Sequence, residues 1–329
     1  MNIPNGLSWS SLAHCCLFSA WVCCASTPVG DNALKLPAVG DAQVLLLTPT
    51  LLEVTFITSK KPDPASVERF HFVDAKGRLR LPEPGEISVS VQAKPATIQQ
   101  LGFKRRVVYA PLKKRDLRIG NYLYVMLAAP VGDNDTIEVT NPNQKLWPAS
   151  LALKVKADPL RWSPLIHVNQ TGYLPAQSKK AMIGYYAGSL EEVDWFGSKS
   201  SSSPSFKLLD TKTGQEVFGG SLKRRRDDGF PSPSYQMVLE ADFTKFTTPG
   251  EYRLWIGGLG SSYRFFIDEA VAGAFARCYA LGLYHQRCGM ANELPFTRFV
   301  HQACHTGAAE IPDRSSKFEN GSADQTFFH

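Results

Sequence analysis

This sequence of 329 residues contains no long apolar run, no internal repeat and only seven cysteines. Without a run of about 20 apolar residues, no segment is predicted to span a membrane as a helix. Without a repeat at a fixed period, solenoids and propellers are excluded. The apolar fraction of 43% and the charged fraction of 20% are those of a globular protein, neither disordered nor fibrous.

Cysteine is concentrated at the two ends of the chain. Of seven cysteines, four lie at positions 15, 16, 23 and 24, and the other three are Cys278, Cys288 and Cys304. The long region between Cys24 and Cys278 therefore contains no disulfide. A chain of this length is long enough for two or three domains, each with its own apolar core.

Basic residues are missing from the N-terminus, where the first lysine or arginine is Lys35. The stretch "LAHCCLFSAWVCCAS" is nevertheless apolar, has the length of a signal peptide and ends in small residues. We therefore predict a signal peptide over residues 1–27 and a secreted or periplasmic mature protein. A buried N-terminal helix is the alternative, and "AWVC" fits a lipid-anchoring motif poorly.

Positive charge exceeds negative charge by 6, but the basic residues are scattered. The one cluster, Lys223 to Arg226, is followed at once by Asp227 and Asp228. This pattern favours a solvated loop over a nucleic-acid site. No nucleic-acid partner is expected.

Residues 33–157 contain short segments rich in β-branched and aromatic residues, among them "LLEVTFIT", "NYLYVMLAAP" and "DTIEVTNP". Several alternate with period two, and turn signals such as "LPEPGE" separate them. Strands at this spacing predict an antiparallel immunoglobulin-like β-sandwich. The sequence assigns this domain no role.

A second β-rich region covers residues 163–267, after a linker that Pro159 and Pro164 are expected to stiffen. Its clearest strands are "SFKLLD" and "GEYRLWIG". We predict a second immunoglobulin-like sandwich in tandem with the first, and a mainly β protein overall.

The period changes after Ile267, where "DEAVAGAFARCYALGLYHQRCG" is alanine-rich and free of proline. Asp268 is a suitable N-cap and Gly289 a suitable C-terminal stop, so a helix is predicted. The sequence beyond it is polar and irregular to His329. Because one helix with such a tail cannot build a core, we expect residues 268–329 to be the start of a truncated domain.

Several of these stretches, taken in order, resemble one enzyme family. "IHVNQTGYLPAQSKKAMI" resembles the opening of the N-terminal immunoglobulin-like domain of family nine glycoside hydrolases, and "DFTKFTTPGEYRLWI" with "SSYRFFID" resembles its last strands. The helix and "YHQRCG…CHTGAAEIP" are similar to the start of that family's catalytic domain. The likeness runs from Ile166 to Pro312, and the ordered set is what makes it specific.

The resemblance implies an exported β-1,4-glucanase, a cellulase, whose catalytic domain is an (α/α) barrel of twelve helices that hydrolyses with inversion. The family's catalytic base lies in an Asp-Ala-Gly-Asp stretch, and its acid is a glutamate far toward the C-terminus. Neither motif occurs here. No catalytic residue is therefore assigned, the chain alone is expected to be inactive, and β-glucan is expected to bind through the missing catalytic domain.

Cys288, Cys304 and His305 are the candidate metal ligands. Two cysteines and a histidine suit tetrahedral zinc, but a closed structural site needs a fourth ligand. From spacing alone, zinc, a Cys288–Cys304 disulfide and inert thiols all remain open. The resemblance favours a structural zinc, because some family members hold one with cysteines and a Cys-His pair at similar places.

The fourth ligand in those relatives is a histidine beside the Asp-Ala-Gly-Asp stretch, which this chain lacks. His329 is the only histidine after His305 and is not expected to replace it. Cys278 is separated from Cys288 by ten residues of predicted helix, about 15 Å, which is too far for a disulfide. We therefore expect Cys278 to be buried in the helix face, and the three candidate ligands to converge.

A non-catalytic polysaccharide-binding module is the alternative function. Trp147, Trp162, Trp195 and Trp255 could hold sugar rings if exposed; Trp195 is the best candidate, and Trp255 is expected in a core or an interface. A purely structural role for the first sandwich is a third possibility.

Overall fold

The computed structural model describes residues 36–59, 72, 74, 76, 78–111, 117–147, 151–194, 204–225 and 237–307. The predicted signal peptide, Trp195 and the tail from residue 308, including His329, lie outside the described residues. Within those ranges the chain forms 17 strands and one α-helix. The prediction of a mainly β protein with tandem sandwiches is confirmed.

The first sandwich pairs two four-stranded antiparallel sheets, ordered β1-β2-β6-β5 and β4-β3-β7-β8. Their strands are β1 (Ala42–Thr48), β2 (Leu51–Ser59), β3 (Ser88–Val91), β4 (Lys94–Ala96), β5 (Ile98–Tyr109), β6 (Arg118–Leu127), β7 (Thr136–Thr140) and β8 (Leu153–Lys156).

The second sandwich contains a four-stranded sheet, β13-β14-β10-β9, and a five-stranded sheet, β12-β11-β15-β16, in which β17 also pairs with β15. Its strands are β9 (Ile166–His167), β10 (Lys180–Ile183), β11 (Ser205–Asp210), β12 (Glu216–Ser221), β13 (Lys223–Arg224), β14 (Leu239–Asp242), β15 (Gly250–Ile256), β16 (Gly260–Ser261) and β17 (Phe265–Ile267).

The basic pair Lys223 and Arg224 was expected in a solvated loop, and this expectation is wrong. The two residues form β13, an exposed edge strand that pairs with Glu240 and Leu239 of β14. Charged side chains on a short edge strand disfavour pairing with another molecule, which gives this cluster a structural role.

Strands β2 and β6 are buried on both faces. On one face, alternate residues such as Leu52 and Val125 enter the core of the first sandwich. On the opposite face, Leu51 and Tyr124 belong to the apolar cluster of the second sandwich. The outer face of one sheet therefore completes the core of the next domain, and the two sandwiches pack as one block.

A polar cluster lies within this interface, centred on the buried carboxylate of Glu53, which is 3% exposed. The hydroxyl of Tyr185 in the second sandwich donates to Glu53 Oε2, and Thr55 Oγ1 donates to Oε1 at 3.3 Å. Burial raises the pKa of Tyr185, and the neighbouring charge of Glu53 raises it further. Tyr185 therefore keeps its proton and remains a donor to Glu53.

Lys104 connects the sandwiches beside Glu53. Its ammonium group donates to the carbonyl of Tyr186 at 2.8 Å and lies 4.5 Å from the centre of the Tyr185 ring. The rings of Tyr122 and Tyr124 lie within 5.5 Å of the same nitrogen. Burial lowers the pKa of Lys104, while the charge of Glu53 acts in the opposite direction. Cation–π contacts and a buried counter-charge compensate for this desolvation.

Arg161 fixes the linker, because its guanidinium group bonds to one carbonyl of each sandwich. Nε donates to Leu46 O of the first sandwich at 3.0 Å, and Nη2 donates to Gly258 O of the second. The carbonyl of Arg161 accepts from Ser261 N at 2.7 Å. Gly260, with φ +110°, lies so close that a Cβ there would meet Arg161 O at 2.3 Å, so no other residue fits.

The stretch that opens the second sandwich, residues 166–183, fixes the start of the helix. Tyr173 Oη donates to Lys180 O at 2.8 Å and accepts from Asn169 N at 2.9 Å. Asp268 N in turn donates to Tyr173 O at 3.0 Å. A Cβ on Gly172, which has φ +114°, would meet Phe266 O at 2.7 Å. These short contacts set the direction in which the chain leaves β17.

The helix, α1 (Ala270–His285), follows. The N-cap is Glu269 and not Asp268 as predicted, but Asp268 Oδ1 still accepts from Ala270 N, the first residue of the helix, at 2.7 Å. The helix ends four residues before Gly289, where the sequence predicted its stop, so Cys288 lies in the turn beyond it. Among the described residues no helix has both the length and the apolar character needed to cross a bilayer.

We predict that Tyr185→Phe lowers the free energy of unfolding by about 1–3 kcal/mol, because the buried side chain of Glu53 loses a hydrogen-bond donor. Urea unfolding followed by tryptophan fluorescence measures this change. The matched control is Tyr186→Phe, whose side chain is 51% exposed and whose carbonyl still accepts from Lys104. Equal urea midpoints for the two variants would contradict the proposed importance of the Glu53 contact.

Candidate metal centre

The first ligand, Cys288, lies just beyond the end of α1. The final turn is closed by Gln286 N, which donates to Gly282 O and Leu283 O at 3.2 Å each. Gly289 then adopts φ +79°, a left-handed conformation that glycine accepts without strain, and the chain reverses there. The sulfur of Cys288 is exposed and lies 3.9 Å from the carbonyl oxygen of Gln286 at the end of the helix.

Cys304 and His305 reach the same place through the return of the chain. The backbone nitrogen of Gly289, the residue after Cys288, donates to Cys304 O at 2.7 Å. This bond therefore holds the two cysteines close together. Farther along the loop, Asn292 N donates to His301 O at 2.9 Å and His301 N donates to Asn292 O at 3.1 Å. These three backbone bonds close residues 288–305, which we call the metal loop.

The three candidate ligand groups meet at the open end of the metal loop. The sulfurs of Cys288 and Cys304 and a ring nitrogen of His305 all lie within 4.8 Å of one another. Tetrahedral zinc with Zn–S bonds of about 2.3 Å places two sulfurs about 3.8 Å apart. A contraction of at most about 1 Å would therefore bring the two sulfurs to the separation of two zinc ligands. The donor set, two thiols and an imidazole, fits zinc.

The two thiols interact directly. The hydrogen bond with Cys304 raises the pKa of the Cys288 thiol, and partial desolvation acts in the same direction. Both cysteines are free thiols. Because zinc binds the thiolate, metal binding at this site must release protons.

The expectation that Cys278 is buried in the helix face is wrong. Its side chain is exposed, and α1 has no buried residue at all. The physical reason is that no other described element packs against the helix. Cys278 is not part of the ligand cluster, which contains only Cys288, Cys304 and His305 within the described ranges.

The tryptophans are placed differently from one another. Trp147 is 2% exposed in the core of the first sandwich, and Trp162 packs on Tyr263 with ring centres 5.2 Å apart. Trp255 lies on the outer face of β15, where its indole N–H donates to Pro159 O at 2.7 Å. It lines a shallow groove of about 300 Å³ with Lys207 and other residues. Trp255 thus contacts the interdomain linker, and one side of it lines a surface groove.

Comparison with known proteins identifies the second sandwich. Residues 162–261 match the family described as the cellulase N-terminal immunoglobulin-like domain. The resemblance to this domain of family nine glycoside hydrolases is confirmed.

The curated relatives are glucanases. The chain is 29% identical over 137 residues to a xyloglucan-specific endo-beta-1,4-glucanase of Bacteroides ovatus, a match that covers 42% of this chain and 20% of the relative. It is 26% identical over 148 residues to endoglucanase D of Acetivibrio thermocellus, a match that covers 44% of this chain and 20% of the relative. The match thus spans about a fifth of the length of these relatives.

A solved structure of a metagenome-derived glycoside hydrolase family 9 endoglucanase is 27% identical, with a TM-score of 0.36. The match covers 46% of this chain and 27% of that chain.

We predict that the purified chain binds one equivalent of Zn²⁺ through the metal loop. Cys288→Ser, Cys304→Ser and His305→Ala should each weaken zinc binding by more than the ~10- to 100-fold that loss of an outer-shell partner typically costs. Cys278→Ser, on the exposed helix, is the matched control and should bind as the parent does. Competition with a chromophoric chelator measures these affinities.

Less than about half an equivalent of zinc, with Cys288 and Cys304 joined in a peptide map, would establish a disulfide in place of the metal.

Proposed function

We propose that this chain is the N-terminal part of an exported, inverting β-1,4-glucanase that degrades cellulose or a related β-glucan. The observation that carries the proposal is the matched cellulase-type domain at residues 162–261, followed directly by an apolar helix. The glucanase activity of the similar proteins supports the same assignment.

The surface of α1 supports the proposal that more protein packs against it. Phe275, Tyr279 and Leu283 are between 54% and 63% exposed. An isolated helix of 16 residues is marginally stable in water and normally buries an apolar face. We propose that α1 is the first helix of an (α/α) barrel whose other helices cover these side chains.

The catalytic carboxylates are proposed to belong to that barrel. Inverting hydrolysis needs a general acid and a general base about 6.5–9.5 Å apart, with a water between them. The sequence contains no Asp-Ala-Gly-Asp stretch, and its last acidic residues are Asp313, Glu319 and Asp324. None of these has the context of the family's acid or base, so the chain by itself is proposed to hydrolyse nothing.

Zinc in this proposal has a structural task. Cys288, Cys304 and His305 would hold the ion, and a histidine from the catalytic domain would complete its coordination. Bound zinc supplies a cross-link and no step of hydrolysis. Its effect would be to fix the end of α1 to the loop that carries the catalytic base.

Export is part of the proposal and rests on the apolar N-terminal stretch before Thr27. A secreted or periplasmic glucanase would meet its polymeric substrate outside the cytoplasm. The DNA that follows codon 329 tests the assignment directly, because an in-frame Asp-Ala-Gly-Asp stretch is the feature that the proposal requires.

A second candidate function, polysaccharide binding by the sandwiches themselves, is favoured by the groove at Trp255. The indole is flanked by Lys207 and Glu216, which form an ion pair at 2.7 Å and are each more than 40% exposed. Leu160, which is 49% exposed, also lines the groove. An aromatic ring beside charged hydrogen-bonding groups is suited to the apolar face and the hydroxyls of a sugar.

We predict that residues 28–329, expressed alone, release no reducing sugar from soluble cellulose derivatives above the level of a mock preparation. The reason is the missing pair of carboxylates. An active family nine endoglucanase assayed in parallel controls for substrate quality. Turnover that survives repurification with the chain would contradict the prediction.

The binding-module candidate is tested by sedimentation with insoluble cellulose. It predicts that the chain sediments with cellulose and that Trp255→Ala weakens this binding. Phe266→Ala removes an aromatic that is 53% exposed and does not line the groove, and it should leave binding unchanged. If the parent chain stays in the supernatant, the module function is excluded.

A further inference from the structure

One side chain in the metal loop differs from its surroundings. Asn292 is 2% exposed, whereas Met290, Leu294 and Phe296 nearby are between 57% and 70% exposed. Burying a primary amide is costly unless its polar atoms are satisfied. A buried asparagine in a stretch that otherwise faces solvent therefore needs an explanation.

The amide nitrogen of Asn292 bonds to the two segments that lead to the cysteines, the end of α1 before Cys288 and the strand-like stretch before Cys304, which we call the two arms. Nδ2 donates to His285 O, at the last residue of α1, at 3.3 Å. It also donates to Nε2 of His301 at 2.7 Å. The second bond requires His301 to be protonated on Nδ1, and Nδ1 indeed lies 2.7 Å from Gln302 O, which accepts its proton. Both amide hydrogens of Asn292 are thereby used.

The two anchoring points are placed symmetrically with respect to the thiols. His285 precedes Cys288 by three residues, and His301 precedes Cys304 by three residues. Among the described backbone bonds that join the segment of Cys288 to the segment of Cys304, only the one from Gly289 N to Cys304 O lies closer to the ligands. Asn292 therefore joins the two arms at equal distances along the chain from the two sulfurs.

We propose that Asn292 is the positioning residue of the metal centre: its amide holds the arms of the metal loop together, so that Cys288 and Cys304 face each other before an ion binds. The proposal rests on the zinc site proposed above and adds a residue that lies outside the ligand set. Outer groups that orient metal ligands commonly contribute strongly to metal affinity.

The carbonyl oxygen of Asn292 supports a role beyond stability. Oδ1 is buried and has no hydrogen-bond partner among the described residues. An unsatisfied buried acceptor costs about 1–3 kcal/mol, so an apolar residue of similar size would serve local packing better. Aspartate, of the same shape, has no hydrogens to donate to His285 O. Only a side chain with two donors on one atom makes both observed bonds at this position.

His285 and Thr297 strengthen one arm independently of Asn292. Nε2 of His285 lies 2.5 Å from Thr297 Oγ1, and the same hydroxyl accepts from Phe299 N at 3.0 Å. Substitution of Asn292 therefore leaves the loop with some of its own bonds. The expected effect is an opening of the two arms at the thiols and not a collapse of the fold.

The test uses Asn292→Leu and Asn292→Asp in the full chain. Gln302→Ala is the matched control, because its side chain is exposed, it lies two residues from Cys304, and its carbonyl still accepts from His301. The first readout is the affinity for Zn²⁺ by chelator competition, with Co²⁺ absorption reporting thiolate coordination. Both Asn292 variants should bind zinc ~10- to 100-fold more weakly, and the control as the parent does.

The second readout needs no metal. Oxidised glutathione converts the thiols of Cys288 and Cys304 to a disulfide and is itself reduced to two glutathione molecules. Peptide mapping follows the rate of this linkage. Because opening the arms lowers the effective concentration of one thiol near the other, both Asn292 variants should cross-link about tenfold more slowly.

Zinc affinity and cross-linking rates equal to those of the parent in both Asn292 variants would overturn the proposal. A parent chain that takes up no zinc would refute the zinc site but not the role of Asn292, which the metal-free rates decide separately. The urea transition of the sandwiches checks that each variant is folded. A loss of cross-linking in Gln302→Ala as large as in Asn292→Leu would also overturn the assignment.

Discussion

Burial of both faces of strands β2 and β6 is the constraint on which the rest of this structure depends. A sheet in a sandwich usually gives one face to its own core and the other to water. Here the second face supplies Leu51 and Tyr124 to the neighbouring core and buries the carboxylate of Glu53. Such a face is stable only while the second sandwich covers it, so the interface holds the two domains in a fixed relation.

The interface also constrains the linker and the start of helix α1. Arg161 bonds to a carbonyl of each sandwich. The backbone bonds of Tyr173 to Phe266 and Asp268 set the direction in which the chain leaves β17. Helix α1 therefore leaves this base in a defined direction, although none of its residues is buried. Beyond that base, order comes from short-range bonds within the metal loop. The two sandwiches thus have well-buried cores, whereas α1 and the metal loop are held by local bonds and expose an apolar surface.

Period-two alternation in segments such as "LLEVTFIT" predicted the strands, because side chains of a strand point alternately to its two faces. It did not predict that Glu53 would be buried, since the partner that covers it, Tyr185, lies 132 residues away in sequence. The helix was predicted from composition, but its end was placed at Gly289 because glycine stops many helices. Here that glycine turns the chain after the helix has already ended.

The candidate site shows the same division between local and distant information. Residue type and spacing predicted Cys288, Cys304 and His305 as candidate ligands, and the fold brings their ligand atoms within 4.8 Å of one another. Asn292 could not be found in this way, since an asparagine in a polar stretch usually faces water and only the folded loop buries it. Cys278 was misplaced for the opposite reason: a helix face was assumed to have a neighbour that the described structure does not contain.

The shared face between the sandwiches has a consequence for inheritance. A domain whose outer sheet is finished by its neighbour cannot be moved into another gene alone without exposing Leu51, Tyr124 and an uncompensated Glu53. Substitutions in β2 and β6 are therefore expected to be accepted in step with substitutions around Tyr185.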